Sequence, residues 1–254
     1  MKSTNHIKDL ITKMADDELI LGHRNSEWTG LGPILEEDIA FSSMAQDKIG
    51  HALALYEILH EQFDEKDPDH YAFLRNEKEY KCCHLVEFPI GEYDFSLMRH
   101  FLFDYAEMIR YETLANSSFE PFRLLSKKVK GELKYHTLHA EEWIKQLGNA
   151  TDESHARMQQ ELNHCFPLAA GIFEPAKEFE SQLMDEKIYP GEKKLYELWL
   201  DKIYSVVTQA SLNLPDIGKV QPVFGGREGY HTEYLQLLLD EMSEVYKLDP
   251  GANW

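Results

Sequence analysis

Two short segments of this 254-residue sequence place ionisable side chains at spacings that could bind a metal ion. They are residues 47–51 (Asp-Lys-Ile-Gly-His) and 132–136 (Glu-Leu-Lys-Tyr-His), and their histidines are 85 residues apart. Helical residues three apart differ by about 60° around the axis, so both side chains can face a bundle interior. A carboxylate three residues before each histidine would make half of a two-metal site, but those positions hold Lys48 and Leu133.

A complete two-metal site in a four-helix bundle needs two single carboxylates and two Glu-x-x-His pairs. The negative charges of the four carboxylates in such a site would balance two divalent irons. In this sequence, two carboxylates and the Lys48 ammonium would leave one net negative charge and no charge for a second metal ion to neutralise. We expect Lys48 to pair with Glu27 or Asp104, and Leu133 to add apolar packing. In chain order, the sequence offers Glu27, Lys48 with His51, Asp104, and Leu133 with His136.

Two other interpretations of these residues stay open. Asp47 lies four residues before His51, and Glu132 lies four residues before His136. Each pair is about 40° apart on its helix and could bind one ion or a rearranged pair of ions, although Lys48 would repel a nearby cation. Alternatively, each of these polar residues is an ordinary core or surface residue without a role in a site. This interpretation is weakened because four residues match the ligand types of a two-metal site in the required chain order.

Helical periodicity predicts the elements that would position these side chains. No segment alternates with the period of a β-strand, and the connection at residues 64–92 suits a bundle with a crossover. The sequence therefore predicts an all-α fold in a single domain, 1–254, with a four-helix bundle core at about 4–148 and additional C-terminal helices at about 151–248. Gly148-Asn149 is expected to end the fourth helix. The predicted helices are 6–23, 36–63, 94–119, 121–147, 151–173, 176–187, 192–211 and 230–246.

Composition limits the classes of partner. The net charge of −19 would repel nucleic acids and anionic membrane surfaces, so neither is an expected partner. No run of 18 apolar residues occurs, and the first nine residues lack the features of an export signal. The three cysteines have neither a disulfide pattern nor metal-ligand spacing. We expect a cytoplasmic protein.

The remaining histidines and cysteines give no further site. Cys82 has no identifiable base, so nucleophilic catalysis is not predicted. The segment from His231 to Glu233 has no predicted role beyond capping or holding the last helix. We assign no paired acid at ligand spacing to five other histidines and expect most of them on the surface or in helix packing: His100, His139, His155, His164 and His231.

Several segments resemble one bacterial protein family. Residues 26–28, 46–51 and 103–104 resemble the ligand-bearing segments of the multicomponent phenylacetyl-CoA ring epoxidase, whose catalytic A subunit and non-catalytic structural C subunit share a ferritin-like fold. Residues 147–152, 213–215, 229–233 and 250–254 resemble the C subunits in particular. The similarity extends in order over essentially the whole chain.

The resemblance implies a ferritin-like, non-catalytic subunit that stabilises and docks a homologous catalytic subunit. It further implies no cofactor in this chain, a di-iron centre in the partner, contacts with other epoxidase subunits, and a possible homo-oligomer when the chain is isolated. Against the family's ligands, Lys48 and Leu133 replace two glutamates. The rival hypothesis is a self-sufficient oxidase or metal-storage bundle. Its ligands to iron or manganese would be the four matching residues, Glu27, His51, Asp104 and His136.

Overall fold

The computed structural model describes residues 4–252, and this part of the chain contains ten α-helices and no β-strand. The prediction of an all-α, ferritin-like fold is therefore confirmed. Asn253 and Trp254, which belong to one of the family-like segments, lie outside the described residues. In chain order the helices are α1 (Asn5–Ser26), α2 (Leu35–Phe63), α3 (Pro68–Phe73), α4 (His84–Glu87), α5 (Tyr93–Leu114), α6 (Glu120–Ala150), α7 (Asp152–Ala170), α8 (Glu180–Asp185), α9 (Glu192–Gln209) and α10 (Glu233–Ser243).

The first four predicted helices, which form the predicted bundle core, are present as α1, α2, α5 and α6, with 22, 29, 22 and 31 residues. Helix α2 ends where Asp64 adopts the left-handed conformation, with φ of 56°. Helix α5 ends at Leu114, five residues before the predicted end, and Pro121 lies in the first turn of α6. Within residues 4–252, every helix is too short or too polar to span a lipid bilayer.

The chain divides into two compact units. One, here the α5–α9 unit, comprises the residues up to Ile7 together with Ile90–Phe224. The other, here the α1–α4 unit, comprises Lys8–Pro89 together with the chain from Gly225 onward, which includes α10. The single domain of residues 1–254, with its internal boundaries, stays a prediction.

The α5–α9 unit is built around α5, which packs against α6, α7 and α9. Trp199 of α9 is fully buried, and its indole N–H donates a hydrogen bond to the carbonyl of Leu102 at 2.9 Å. The rings of Phe166 and Phe173 lie 5.4 and 5.3 Å from the Trp199 ring. Aromatic packing therefore fixes α9 against the helix that carries Asp104.

The α1–α4 unit contains three consecutive buried acids on α1: Asp16, Asp17 and Glu18. The carboxylate of Asp16 accepts hydrogen bonds from the guanidinium of Arg75, and that of Asp17 from the guanidinium of Arg227. Glu18 is oriented toward α2. Successive helical positions differ by about 100°, so the three carboxylates leave α1 in three directions.

Gly148 does not end α6, which continues through it to Ala150. A Cβ atom at Gly148 would lie 2.4 Å from the carbonyl oxygen of Ala210, just after α9. The glycine therefore allows close packing of the two helix ends, and the sequence expectation of a helix stop is wrong.

We expect Gly148→Ala to lower the free energy of unfolding by about 1–3 kcal/mol, because the new methyl group must displace the backbone at Ala210. Gly131→Ala is the matched control on the same helix, since a Cβ there meets nothing within 4 Å. Alanine at Gly131 should raise the unfolding free energy by about 0.5–1 kcal/mol. Urea denaturation of both variants measures the difference, and equal effects would show that the approach to Ala210 imposes no constraint.

Candidate functional site

The predicted site residues of the α1–α4 unit lie where α1 packs on α2. Lys48 is fully buried, and its ammonium group lies 3.5 Å from the carboxylate of Glu18. The second oxygen of Glu18 lies 3.2 Å from Nδ1 of His51. Glu18 is 0% exposed, so its carboxylate has no contact with water. Its partners inside the protein are the Lys48 ammonium, which offsets its charge, and the His51 imidazole.

Of the two carboxylates expected to pair with Lys48, Glu27 is not its partner, and pairing with Asp104 stays a prediction. Helix α1 ends at Ser26, and Glu27 follows in a turn, where its half-buried side chain accepts a hydrogen bond from Arg24 at 2.8 Å. Glu18 lies nine residues earlier, or about 14 Å along the axis. The segment that resembles the family motif leads to the prediction of Glu27 as a partner of Lys48. Glu18 cannot be identified from the sequence, because it follows two other acids and such a run is typical of a solvent-exposed helix face.

The predicted site residues of the α5–α9 unit lie between α5 and α6. Asp104 and His136 are both 0% exposed, and His136 Nδ1 lies 3.4 Å from an oxygen of Asp104. The other oxygen of Asp104 is paired with His100, one turn earlier on α5. His139 Nδ1 lies 3.3 Å from Nε2 of His100 and so extends this polar network along α6.

The expectation that His100 has no paired acid at ligand spacing is wrong, because it is buried beside Asp104, four residues further along α5. Burial lowers the pKa of His100 to about 4, although the Asp104 carboxylate opposes this shift. The imidazole is therefore neutral at neutral pH. It can donate one hydrogen bond and accept one, which suits a position between a carboxylate and the ring of His139.

The side chains present do not fit a two-iron centre. Lys48 carries a positive charge with no lone pair for a metal, and Leu133 places a buried aliphatic side chain three residues before His136. Leu133 also lines a cavity of about 230 Å³ together with Met108 and Tyr111. Two of the six ligand positions therefore offer no lone pair to a metal ion.

The alternative ligands Asp47 and Glu132 are half-buried, unlike Lys48 and Leu133 beside them. Each acid is one residue away from the buried position, or about 100° around its helix. That Lys48 and His51 share one centre with Asp104 and His136 stays a prediction, as does metal binding by the alternative ligands.

The segment from His231 to Glu233 sets the start of the last helix. The hydroxyl of Thr232 accepts a hydrogen bond from the amide of Tyr234 at 3.4 Å, and α10 begins at Glu233 rather than at residue 230. His231 is hydrogen-bonded to Glu87 at 2.8 Å, so it too has a paired acid that the sequence does not reveal.

Comparison with known proteins gives two results. The sequence model of the family described as "Phenylacetic acid catabolic protein" matches residues 1–254. The chain is also 30% identical, over 250 residues, to the C subunit of the 1,2-phenylacetyl-CoA epoxidase of Escherichia coli (strain K12), covering 98% of this chain and 100% of that protein. The resemblance inferred from short segments is therefore confirmed: this chain belongs to the phenylacetic acid catabolic protein family.

Proposed function

We propose that this chain is the non-catalytic structural subunit of a phenylacetyl-CoA ring epoxidase, in which it stabilises and docks a homologous di-iron subunit. The observation that carries the proposal is that buried Lys48 and Leu133 stand three residues before His51 and His136, where a Glu-x-x-His pair needs a glutamate, in a chain similar to an epoxidase subunit. The free cysteines Cys82, Cys83 and Cys165 agree with a reducing cytoplasmic location, which is part of the proposal.

The division of roles follows from the chemistry of these side chains. A di-iron centre would supply oxygen activation in the partner subunit. In this chain, the buried Lys48 ammonium compensates the charge of Glu18, and Asp104 holds the imidazoles of His100 and His136. These polar contacts join α1 to α2 and α5 to α6, so their proposed role is to hold the helices together.

Helix α6 offers a surface suited to a helical partner. Leu124, Tyr135 and Leu138 are 59%, 48% and 54% exposed. Tyr135 and Leu138 follow Leu124 by 11 and 14 residues, so all three lie within about 60° of one another around the helix. Four exposed lysines flank this apolar stripe although the chain as a whole has a charge of −19. They are Lys127, Lys128, Lys130 and Lys134.

An apolar stripe bordered by lysines favours a partner surface that is apolar at its centre and acidic at its edge. A permanent complex of this kind buries well over about 1,000 Å² in total. The stripe therefore supports docking of the catalytic homologue on α6.

The experiment is reconstitution of the full-length chain with a catalytic homologue that retains both Glu-x-x-His pairs. We expect a stable heteromeric complex in light scattering. Oxygen consumption that depends on phenylacetyl-CoA, an electron donor and the reductase subunit should occur only when the homologue is present. Leu138→Asp should weaken the complex at least about tenfold, whereas Leu237→Asp on α10, which is also exposed, should not.

The rival function makes the opposite prediction. A self-sufficient oxidase or storage bundle would contain near-stoichiometric iron that His51→Ala and His136→Ala remove, and chelation would lower its stability. Oxygen consumption by the isolated chain, unchanged by the homologue, would contradict the structural role. Equal effects of Leu138→Asp and Leu237→Asp would place the docking surface away from α6.

A further inference from the structure

A second cluster of potential metal ligands lies inside the α1–α4 unit, on residues other than Glu18, Lys48 and His51. The atoms are Sγ of Cys82, Oε1 of Glu87 and Nδ1 of His231, all within 4.8 Å of one another. Nδ1 lies 2.8 Å from Oε1, and Sγ lies 3.7 Å from Oε1 and 3.9 Å from Nδ1. The three side chains are closed off from solvent.

The orientation of the His231 ring is fixed by a backbone carbonyl. Nε2 lies 3.0 Å from the carbonyl oxygen of Tyr80, which can only accept a hydrogen bond, so the proton must be on Nε2. This leaves Nδ1, which faces Cys82 and Glu87, as the nitrogen with a lone pair in the neutral ring. A hydrogen bond from the second ring nitrogen to a carbonyl is how proteins usually orient a metal-binding histidine.

The Glu87 carboxylate is held in the same way. Its Oε2 atom accepts hydrogen bonds from the amide and the hydroxyl of Thr232, at 2.7 and 2.6 Å. Its backbone carbonyl accepts two more from the guanidinium of Arg24, at 3.1 and 2.8 Å. Oε1 is thereby directed at Cys82 and His231, which is the outer-shell support that a ligating carboxylate requires.

Two glycines allow the loop before His231 to reach this position. A Cβ at Gly226 would lie 2.2 Å from the carbonyl oxygen of Cys82, and one at Gly229 would lie 2.5 Å from that of Lys78. Between them, the Arg227 guanidinium forms a two-point pair with Asp17 and donates to the Lys81 carbonyl at 2.8 Å. The loop is therefore locked against residues 78–82, and the three donor atoms are preorganised.

We infer that Cys82, Glu87 and His231 form a binding site for a thiophilic divalent metal ion of the zinc class. Thiolate, imidazole and carboxylate are the donors that zinc accepts. Tetrahedral zinc would separate its nitrogen and oxygen ligands by about 3.3 Å, and its sulfur from either by about 3.6 Å. The present separations differ from these by about 0.5 Å or less, within the reach of small side-chain rotations.

The charge balance also permits the ion. In the metal-free chain, burial and then the Glu87 carboxylate raise the pKa of Cys82, which keeps a neutral thiol. Binding releases the thiol proton, and any proton on Nδ1 of His231, to solvent. The thiolate, the carboxylate and a divalent ion together carry no net charge.

The site would join two distant parts of the chain. Cys82 and His231 are 149 residues apart, and both belong to the α1–α4 unit. A bound ion would therefore fix the C-terminal segment that carries α10 to the segment before α4. This role is separate from the proposed epoxidase function and does not depend on it.

The test is titration of the chelator-treated, full-length chain with Co²⁺, which substitutes for zinc and has visible absorption. We expect one equivalent to bind, with a thiolate-to-cobalt charge-transfer band, and the melting temperature to rise. Cys82→Ala should abolish the band and weaken binding at least about 100-fold. Thr232→Val, which keeps all three ligands, should keep the band and weaken binding about 10–100-fold.

Cys165→Ala is the matched control, because Cys165 is a buried thiol that lies beside Glu161 and His164 in the other unit. That variant should bind cobalt as the parent does. A band that survives Cys82→Ala, disappears in Cys165→Ala, or never forms in the parent would overturn the inference. X-ray absorption of the parent zinc complex decides the case in which Cys82→Ala does not fold: one sulfur ligand is expected, and none would overturn it.

Discussion

Replacing Lys48 by methionine is expected to lower the free energy of unfolding by about 3–5 kcal/mol. Methionine nearly keeps the side-chain volume but removes the ammonium. The carboxylate of Glu18 then stays buried without its counter-charge and keeps the contact with His51 Nδ1 at 3.2 Å. Lys48→Ala should cost somewhat more, because it also leaves a cavity. Urea denaturation at neutral pH measures both losses.

Two controls separate this charge effect from a general loss of packing. Lys134→Met removes an exposed lysine from α6 and should change the unfolding free energy by less than about 0.5 kcal/mol. Lys48→Met combined with Glu18→Leu removes both charges and should recover most of the loss, since a buried pair can be replaced by apolar groups at little cost. If Lys48→Met alone costs less than about 1 kcal/mol, the pair with Glu18 does not stabilise the helices.

Replacing Arg227 by alanine is expected to lower the free energy of unfolding by a similar amount, about 3–5 kcal/mol. The guanidinium and Asp17 are both more than nine-tenths buried and form two hydrogen bonds of 2.8 and 2.7 Å. Without Arg227, the Asp17 carboxylate keeps the hydrogen bond from the Cys83 amide but loses its counter-charge. Arg227→Lys should recover only part of the loss, because an ammonium cannot form the two-point contact.

Arg157→Ala is the matched control, since Arg157 is half exposed and forms a 2.6 Å hydrogen bond with Asp94. Its loss should cost less than about 1 kcal/mol, because solvent screens the pair. Hydrogen exchange locates the effect: Arg227→Ala should speed exchange in residues 225–252 and leave that of α5 nearly unchanged. A uniform effect on all helices would contradict a local role for Arg227.

The long helices can be predicted from sequence because their apolar residues repeat with helical period over several turns. Periodicity predicts α2 at residues 36–63, and the helix is Leu35–Phe63. Helix ends are less predictable, since they depend on tertiary contacts. Gly148 has the residue type of a helix stop, yet it serves close packing against Ala210, which is 62 residues away in the chain.

The candidate site can be predicted where it depends on spacing within one helix, but not where it depends on distant partners. Spacing predicts that Lys48 with His51, and Leu133 with His136, face the interior, and all four are buried. Glu18 cannot be identified in this way because its partner Lys48 lies 30 residues further on. No local pattern distinguishes a buried acid from a solvated one when its counter-charge comes from another helix.

The same limit applies to the proposed metal ligands. Cys82 and His231 are 149 residues apart, and Glu87 and His231 are 144 residues apart, so no spacing within one segment predicts that they meet. The glycine-containing loop at residues 225–229 brings the two together. Its glycines predict a turn, but their contacts with the backbone of residues 78–82 cannot be read from the sequence.

The three consecutive acids of α1 fix the rotational setting of that helix. Asp16, Asp17 and Glu18 bind partners that are 59, 210 and 30 residues away. If one residue were inserted before Asp16 while the preceding residues kept their positions, all three acids would rotate by about 100° around the helix axis. They would also shift along the axis by about 1.5 Å. All three pairs would then break together. The length of the chain in the first three turns of α1 is therefore fixed by three separate partners at once.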